Sequence, residues 1–195
     1  MFNKINIYDI VKAHLGTLRS YSTKRLMKRD YVLFFGIPLV VSIIILIRNI
    51  WMEKDVVANL IAAMSIFSGF LFNLLALVYS LVDTIKKSIR EDLFDEQERE
   101  IKRQLLKETH INISYCILIS VLLVVLLCVT YFTPKYHLDI GLNARGMGLD
   151  KEHIIGFLCV LVEASIYFFL LNFGLTLLMV LQRIHVLMKR RIVED

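Results

Sequence analysis

One carboxylate stands where carboxylates are costly. Glu163 lies inside the apolar run from Ile154 to Leu181, at a depth where a charge is tolerated only if it is protonated, paired or hydrated. The residue type allows two kinds of chemistry: an ion-coordinating or sensing carboxylate, or a protonated acid sharing hydrogen bonds with a neighbouring helix. Its same-face neighbours include Tyr167, Leu170 and Gly174, whereas Asn172 points to nearly the opposite side of a helix. One pore cannot easily use both Glu163 and Asn172.

A second constellation runs along Val56 to Val82. Stepping at about 100° per residue, Ala62, Ser65, Gly69, Asn73, Ala76 and Ser80 fall in one sector, extended by Ala58 and Asp83, and large apolar residues fill the rest. Small residues let helix backbones approach, and a single Asn or Ser can hydrogen-bond across the contact, so the stripe fits a packing face. The alternative is a wetted lining at the axis of an oligomer, with Asn73 and the seryl hydroxyls meeting water or ions.

Other chemistry is absent. There is no phosphate-cradling glycine loop, His-Glu-x-x-His helix, paired-cysteine zinc pattern or nucleophile elbow. His137, Asp139 and His153 have no diagnostic metal spacing and read as part of a solvated loop. Cys116, Cys128 and Cys159 all fall in apolar runs, where a thiol acts as a small apolar group and a disulfide has no evident role. No cofactor is implied, and the expectation is a protein that is not an enzyme.

The elements that must carry these residues are apolar runs. The chain of 195 residues is 57% hydrophobic, with a mean hydropathy of +0.63, and its apolar residues are concentrated rather than dispersed. Four runs, about 31–50, 56–82, 111–132 and 154–181, are each long enough to cross about 30 Å of hydrocarbon. The expected fold is all-α: an integral membrane four-helix bundle. Lys and Arg number seven before Tyr31, seven between Asp83 and His110 and four after Leu181, against five in the two alternate segments together. Retained cations mark the cytoplasmic side of short loops, so both ends are expected in the cytoplasm. The net charge of +5 then belongs to the inner face, where it attracts anionic lipid, and direct nucleic-acid contact is not expected.

Residues 1–30 form a basic, amphipathic cytoplasmic segment, and residues 31–195 the four-span domain with a cytoplasmic hairpin at 83–110. A polar stretch precedes the first apolar run without a small-residue cleavage site, so the first helix is expected to be retained. Phe2, Ile5, Ile7, Ile10, Val11, Leu15 and Leu18 recur at mostly three- and four-residue spacing and are followed by Lys24, Arg25, Lys28 and Arg29. This pattern suits a helix in the inner headgroup layer, with those four cations on lipid headgroups, and equally a helix packed on neighbouring protein. Gly36 and Pro38 predict a kink or loosened turn early in the first span. The loop of about eight residues after it predicts antiparallel packing of the first two spans. The third span, with Ser114, Ser120 and Thr130 among its few polar side chains, reads as a lipid-facing wall.

Between Asp83 and His110 there is no Gly or Pro, and Lys87 with Glu91, Asp95 with Arg99 and Glu98 with Lys102 are opposite charges four apart. These predict two helices projecting past the bilayer around a turn at 92–95. Phe94, Arg99, Lys102 and Arg103 are candidate docking residues there, since aromatic and Arg anchors dominate many interfaces. The last span is expected to continue as helix through Arg183 to Arg191.

The two closely spaced first helices, the stretch SGFLFNLLALVYSLVD in the second, and the hairpin segment DLFDEQEREIKRQLLKE resemble the KwaA-type membrane subunits of Kiwa anti-phage defence systems. The resemblance spans the chain as a layout and contains no specific motif. It implies a homo-oligomer, a tetramer by preference, in the bacterial inner (plasma) membrane that detects phage infection at the envelope. It also implies a soluble DNA-binding effector of KwaB type docked on the cytoplasmic side, and it carries over no catalytic residue. The resulting expectation is a non-enzymatic sensor and anchor. The alternative is an oligomeric ion-conducting or membrane-depolarising pore.

Overall fold

A computed structural model describes residues 7–18, 31–48, 52–90, 96–133 and 151–193. Among these there are helices and no strands. Helix α1 is Ile7–Thr17. A π-helical turn, Val32–Gly36, leads into α2, Ile37–Ile47. Three long helices follow: α3, Lys54–Arg90; α4, Glu96–Phe132; and α5, Lys151–Val193.

Length and composition make α3, α4 and α5 capable of crossing a membrane, whereas Val32–Ile47 is a shorter apolar helix. At 1.5 Å per residue, helices of 37, 37 and 43 residues are roughly 55 to 65 Å long, about twice the ~30 Å hydrocarbon thickness. They must therefore project well beyond any bilayer they cross. The uninterrupted run of non-Gly, non-Pro residues from Leu71 to Phe132 lets two of them do so without a kink. The expected turn at 92–95, Phe94 included, lies outside the described residues, between the end of α3 and the start of α4.

Helix α4 is the centre of the bundle. It packs on α3, α5 and α1, while α2 packs on α5. Ile113, Cys116, Ile119, Leu123 and Leu127 of α4 are all buried. Val57, Met64, Leu71 and Val78 form a buried ridge at seven-residue spacing on α3, and Ile166, Phe173 and Val180 form another on α5. Ridges at that spacing keep one face of each helix turned to α4 over several turns.

Two expectations are corrected here. The third span is the core rather than a lipid-facing wall: lipid tails are as apolar as Leu, so apolarity alone cannot distinguish a helix buried in protein from one facing lipid. The first span packs on α5, not on the second, because a short loop fixes only the distance between helix ends. Glu163 of α5 holds that loop by accepting the backbone N–H of Met52 at 2.8 Å.

Candidate functional site

The site begins at a proline. Pro38 stands in the first turn of α2 and, having no N–H, cannot bond the carbonyl of Phe34 four residues earlier. The backbone widens locally, with Ile37 N–H bonding to the Val32 carbonyl five residues back. The Phe34 carbonyl is taken up from α5, where the side-chain amide of Asn172 donates to it at 3.0 Å. On its other side, Asn172 Oδ1 accepts the Tyr115 hydroxyl of α4 at 2.9 Å. A fully buried asparagine thus has partners on both of its functional atoms, on two different elements.

Tyr115 leads to α1. The His14 ring stacks on it with centroids 3.8 Å apart and planes 4° from parallel, and Phe34 meets the same imidazole edge-on at 6.4 Å. His14 Nδ1 lies 2.9 Å from Asn112 Oδ1, so the neutral ring carries its proton on Nδ1 and donates. The Thr17 hydroxyl is 2.8 Å from the His14 carbonyl and 2.9 Å from Asn112 Oδ1, and gives its single proton to either. Arg183 of α5 closes the cluster, donating to the Thr17 carbonyl at 3.2 Å and pairing with Glu108 at 3.0 Å.

His14, Asn112 and Asn172 are completely buried. Burial pushes the His14 imidazole down to about 4; the Asn112 bond opposes that shift and the Arg183 charge adds to it. Three buried nitrogens in the cluster, His14 Nε2, Asn112 Nδ2 and Arg183 Nη1, have no partner among the described residues. The docking of α1 is therefore specific in geometry and weakened by its own unpaired atoms.

Glu163 is buried and lies towards the opposite end of α5 from Arg183. Its carboxylate serves the start of α3 through Met52, where a helix N-terminus favours negative charge. This geometry gives it a structural task.

Ala62, Ser65, Gly69, Asn73, Ala76 and Ser80 all face outward, on the side of α3 turned roughly 150° from its buried ridge. The Ser65 and Ser80 hydroxyls bond back to the carbonyls of Ile61 and Leu77, both at 2.8 Å. Asn73 is exposed and makes no side-chain hydrogen bond among the described residues. Space beside Gly69 is open: a Cβ added there would meet nothing within 4 Å.

Of the expected docking residues, Arg103 is exposed on α4. Arg99 and Lys102 belong to the same helix, and their side chains lie outside the described set, as do Lys24, Arg25, Lys28 and Arg29. His137 and Asp139 also fall outside it, and the described residues hold no cluster of three metal-ligating groups.

The cluster joining His14, Thr17, Glu108, Asn112, Tyr115, Asn172 and Arg183 is what sequence reasoning missed. The available signals were two asparagines inside apolar runs and one carbonyl orphaned by Pro38. Compared with known proteins, the chain matches no family model, no curated protein and no solved structure.

Proposed function

We propose that the protein is a non-enzymatic membrane sensor and anchor of the anti-phage defence type, a homo-oligomer of the bacterial inner membrane that recruits a soluble cytoplasmic DNA-binding effector of KwaB type. The observation that carries this reading is the long projection of α3, α4 and α5 beyond the hydrocarbon thickness at the end where Arg90, Glu96 and Val193 lie. A pore needs only its spans, whereas a platform for a soluble partner needs helices standing clear of the headgroups.

Four crossings with both ends cytoplasmic fit the contacts of α1 and of Met52. Helix α1 is tied to Arg183, itself paired with Glu108, at the end of the bundle that carries the projections. Met52, beyond α2, is tied to Glu163 towards the other end. On this reading the chain between them crosses the bilayer as the first span, short as Val32–Ile47 is. Oligomerisation is supported by Asn73, since an unpartnered amide facing lipid is costly and a second copy of the stripe satisfies it; the preference for a tetramer comes from the resemblance alone.

The same exposed stripe favours a second reading, in which Asn73 lines a conducting axis between copies and the assembly depolarises the membrane. One comparison separates the two. Protein isolated from native membranes is expected to bring down a soluble partner that is lost from a variant combining Phe94→Ala with Arg99→Glu, with membrane insertion unchanged. Absence of any such partner, together with ion leakage from liposomes containing the wild-type protein, would favour the pore.

A further inference from the structure

A groove of about 390 Å³ runs between α1 and the projecting part of α4, within the ~300–1,000 Å³ typical of small-molecule sites. It exists because α1 presents its smallest side chains there, Ala13 and Gly16. A Cβ added at Gly16 would meet nothing within 4 Å.

The opposite wall carries Glu100, Arg103, Lys107 and Glu108, whose charges are unequal in effect. The Glu108 carboxylate is occupied on both oxygens, by Arg183 at 3.0 Å and by the Gln104 amide at 3.0 Å. That leaves the exposed cations Arg103 and Lys107, with Glu100 the remaining acid in the lining. Four residues apart on one helix, the two cations project to the same side. An Arg fork beside a Lys point charge is suited to phosphate oxygens.

The groove also has a polarity gradient. From Arg103 to Ile111 the helix rises about 12 Å, from paired cations to the first residue of the apolar run. The polar headgroup region adds only ~5–8 Å to each side of the hydrocarbon, so this stretch spans it. A cationic end facing the cytoplasm and an apolar end entering the bilayer match the two ends of one phospholipid.

We infer that this groove binds the head of an anionic phospholipid of the inner leaflet, its phosphate on Arg103 and Lys107 and its glycerol and first methylenes against Ala13 and Ile111. A free phosphate compound would use the same cations and leave the apolar end uncovered. The inference rests on the reading that α4 enters the membrane near Ile111, which alkaline extraction of native membranes tests independently.

The test uses the full chain in neutral detergent, followed by thermal melting. Added phosphatidylglycerol is expected to raise the melting temperature, while phosphatidylcholine and inorganic phosphate do not. Replacing both cations, Arg103→Gln with Lys107→Gln, should raise the half-saturating lipid concentration by about ten- to thirty-fold, the effect of two basic contacts. Gly16→Leu, which fills the groove and leaves every charge in place, should also weaken the lipid effect without releasing a cytoplasmic partner. Lys12→Gln, on the exposed face of α1 outside the lining, should not weaken it. An equal shift with inorganic phosphate, or wild-type lipid dependence in both groove variants, would overturn the assignment.

Discussion

Asn172 on α5 donates its amide to the Phe34 carbonyl at 3.0 Å, the carbonyl that Pro38 leaves without its helical partner. A helix defect at the start of α2 thereby becomes an anchoring point for α5. Removing the amide by Asn172→Leu leaves both Phe34 O and the Tyr115 hydroxyl unpaired and should cost about 2–6 kcal/mol, as two buried groups at ~1–3 each. Pro38→Ala restores an N–H opposite Phe34 O. In the double variant the cost of Asn172→Leu should fall by about 0.5–3 kcal/mol, a coupling measurable by thermal melting of the four proteins in detergent.

The docking of α1 should depend on pH through His14. Its ring titrates at about 4 when docked, against an ordinary 6.5 when released. A depressed value means that the contribution is present above 6.5 and is lost as pH falls towards 4, on the order of 3 kcal/mol in all. The groups facing the ring are Tyr115, Asn112 and, through its charge, Arg183, while the Glu108 carboxylate is taken up by Arg183. Labelling of an Ala13→Cys variant should therefore rise below pH 6. His14→Phe, which keeps a ring for Tyr115 to stack on, should abolish that dependence.

Glu163→Gln retains an oxygen acceptor for Met52 N–H and should melt within ~1 kcal/mol of wild type, whereas Glu163→Leu should lose about 1.5–3 kcal/mol, the range for a hydrogen bond to a charged group. Loss of function in a stable, assembled Glu163→Gln protein would mark the charge itself as functional.

How much of this was legible follows from the range of the signal. The long helices, their continuation past the spans and the burial of Glu163 are written locally, in apolar runs, charge spacing and the missing glycines. The polar cluster is not: His14 meets Asn112 across 98 residues and Asn172 meets Phe34 across 138. No periodicity links partners so distant. The stripe was legible as a set, but its direction was not, because small outward-facing residues and small core residues look alike in a membrane helix.

If the stripe is the contact between copies, Gly69→Leu should dissociate the oligomer in mild detergent, as read by light scattering. The open space at Gly69 means that the monomer itself should keep its melting temperature. An intact oligomer with altered conductance would place the stripe along a pore.

In the proposed topology, four crossings put both ends and the α3–α4 projections on one cytoplasmic face. Single cysteines at Asn3, Glu98, Asp139 and Asp195, in a background with the three native cysteines replaced, test it with an impermeant maleimide applied to spheroplasts. Labelling is expected at Asp139 in intact spheroplasts, and at Asn3, Glu98 and Asp195 only after lysis. Labelling of Asn3 from outside, with Glu98 and Asp195 still protected, would mean that Val32–Ile47 does not cross, and would contradict it.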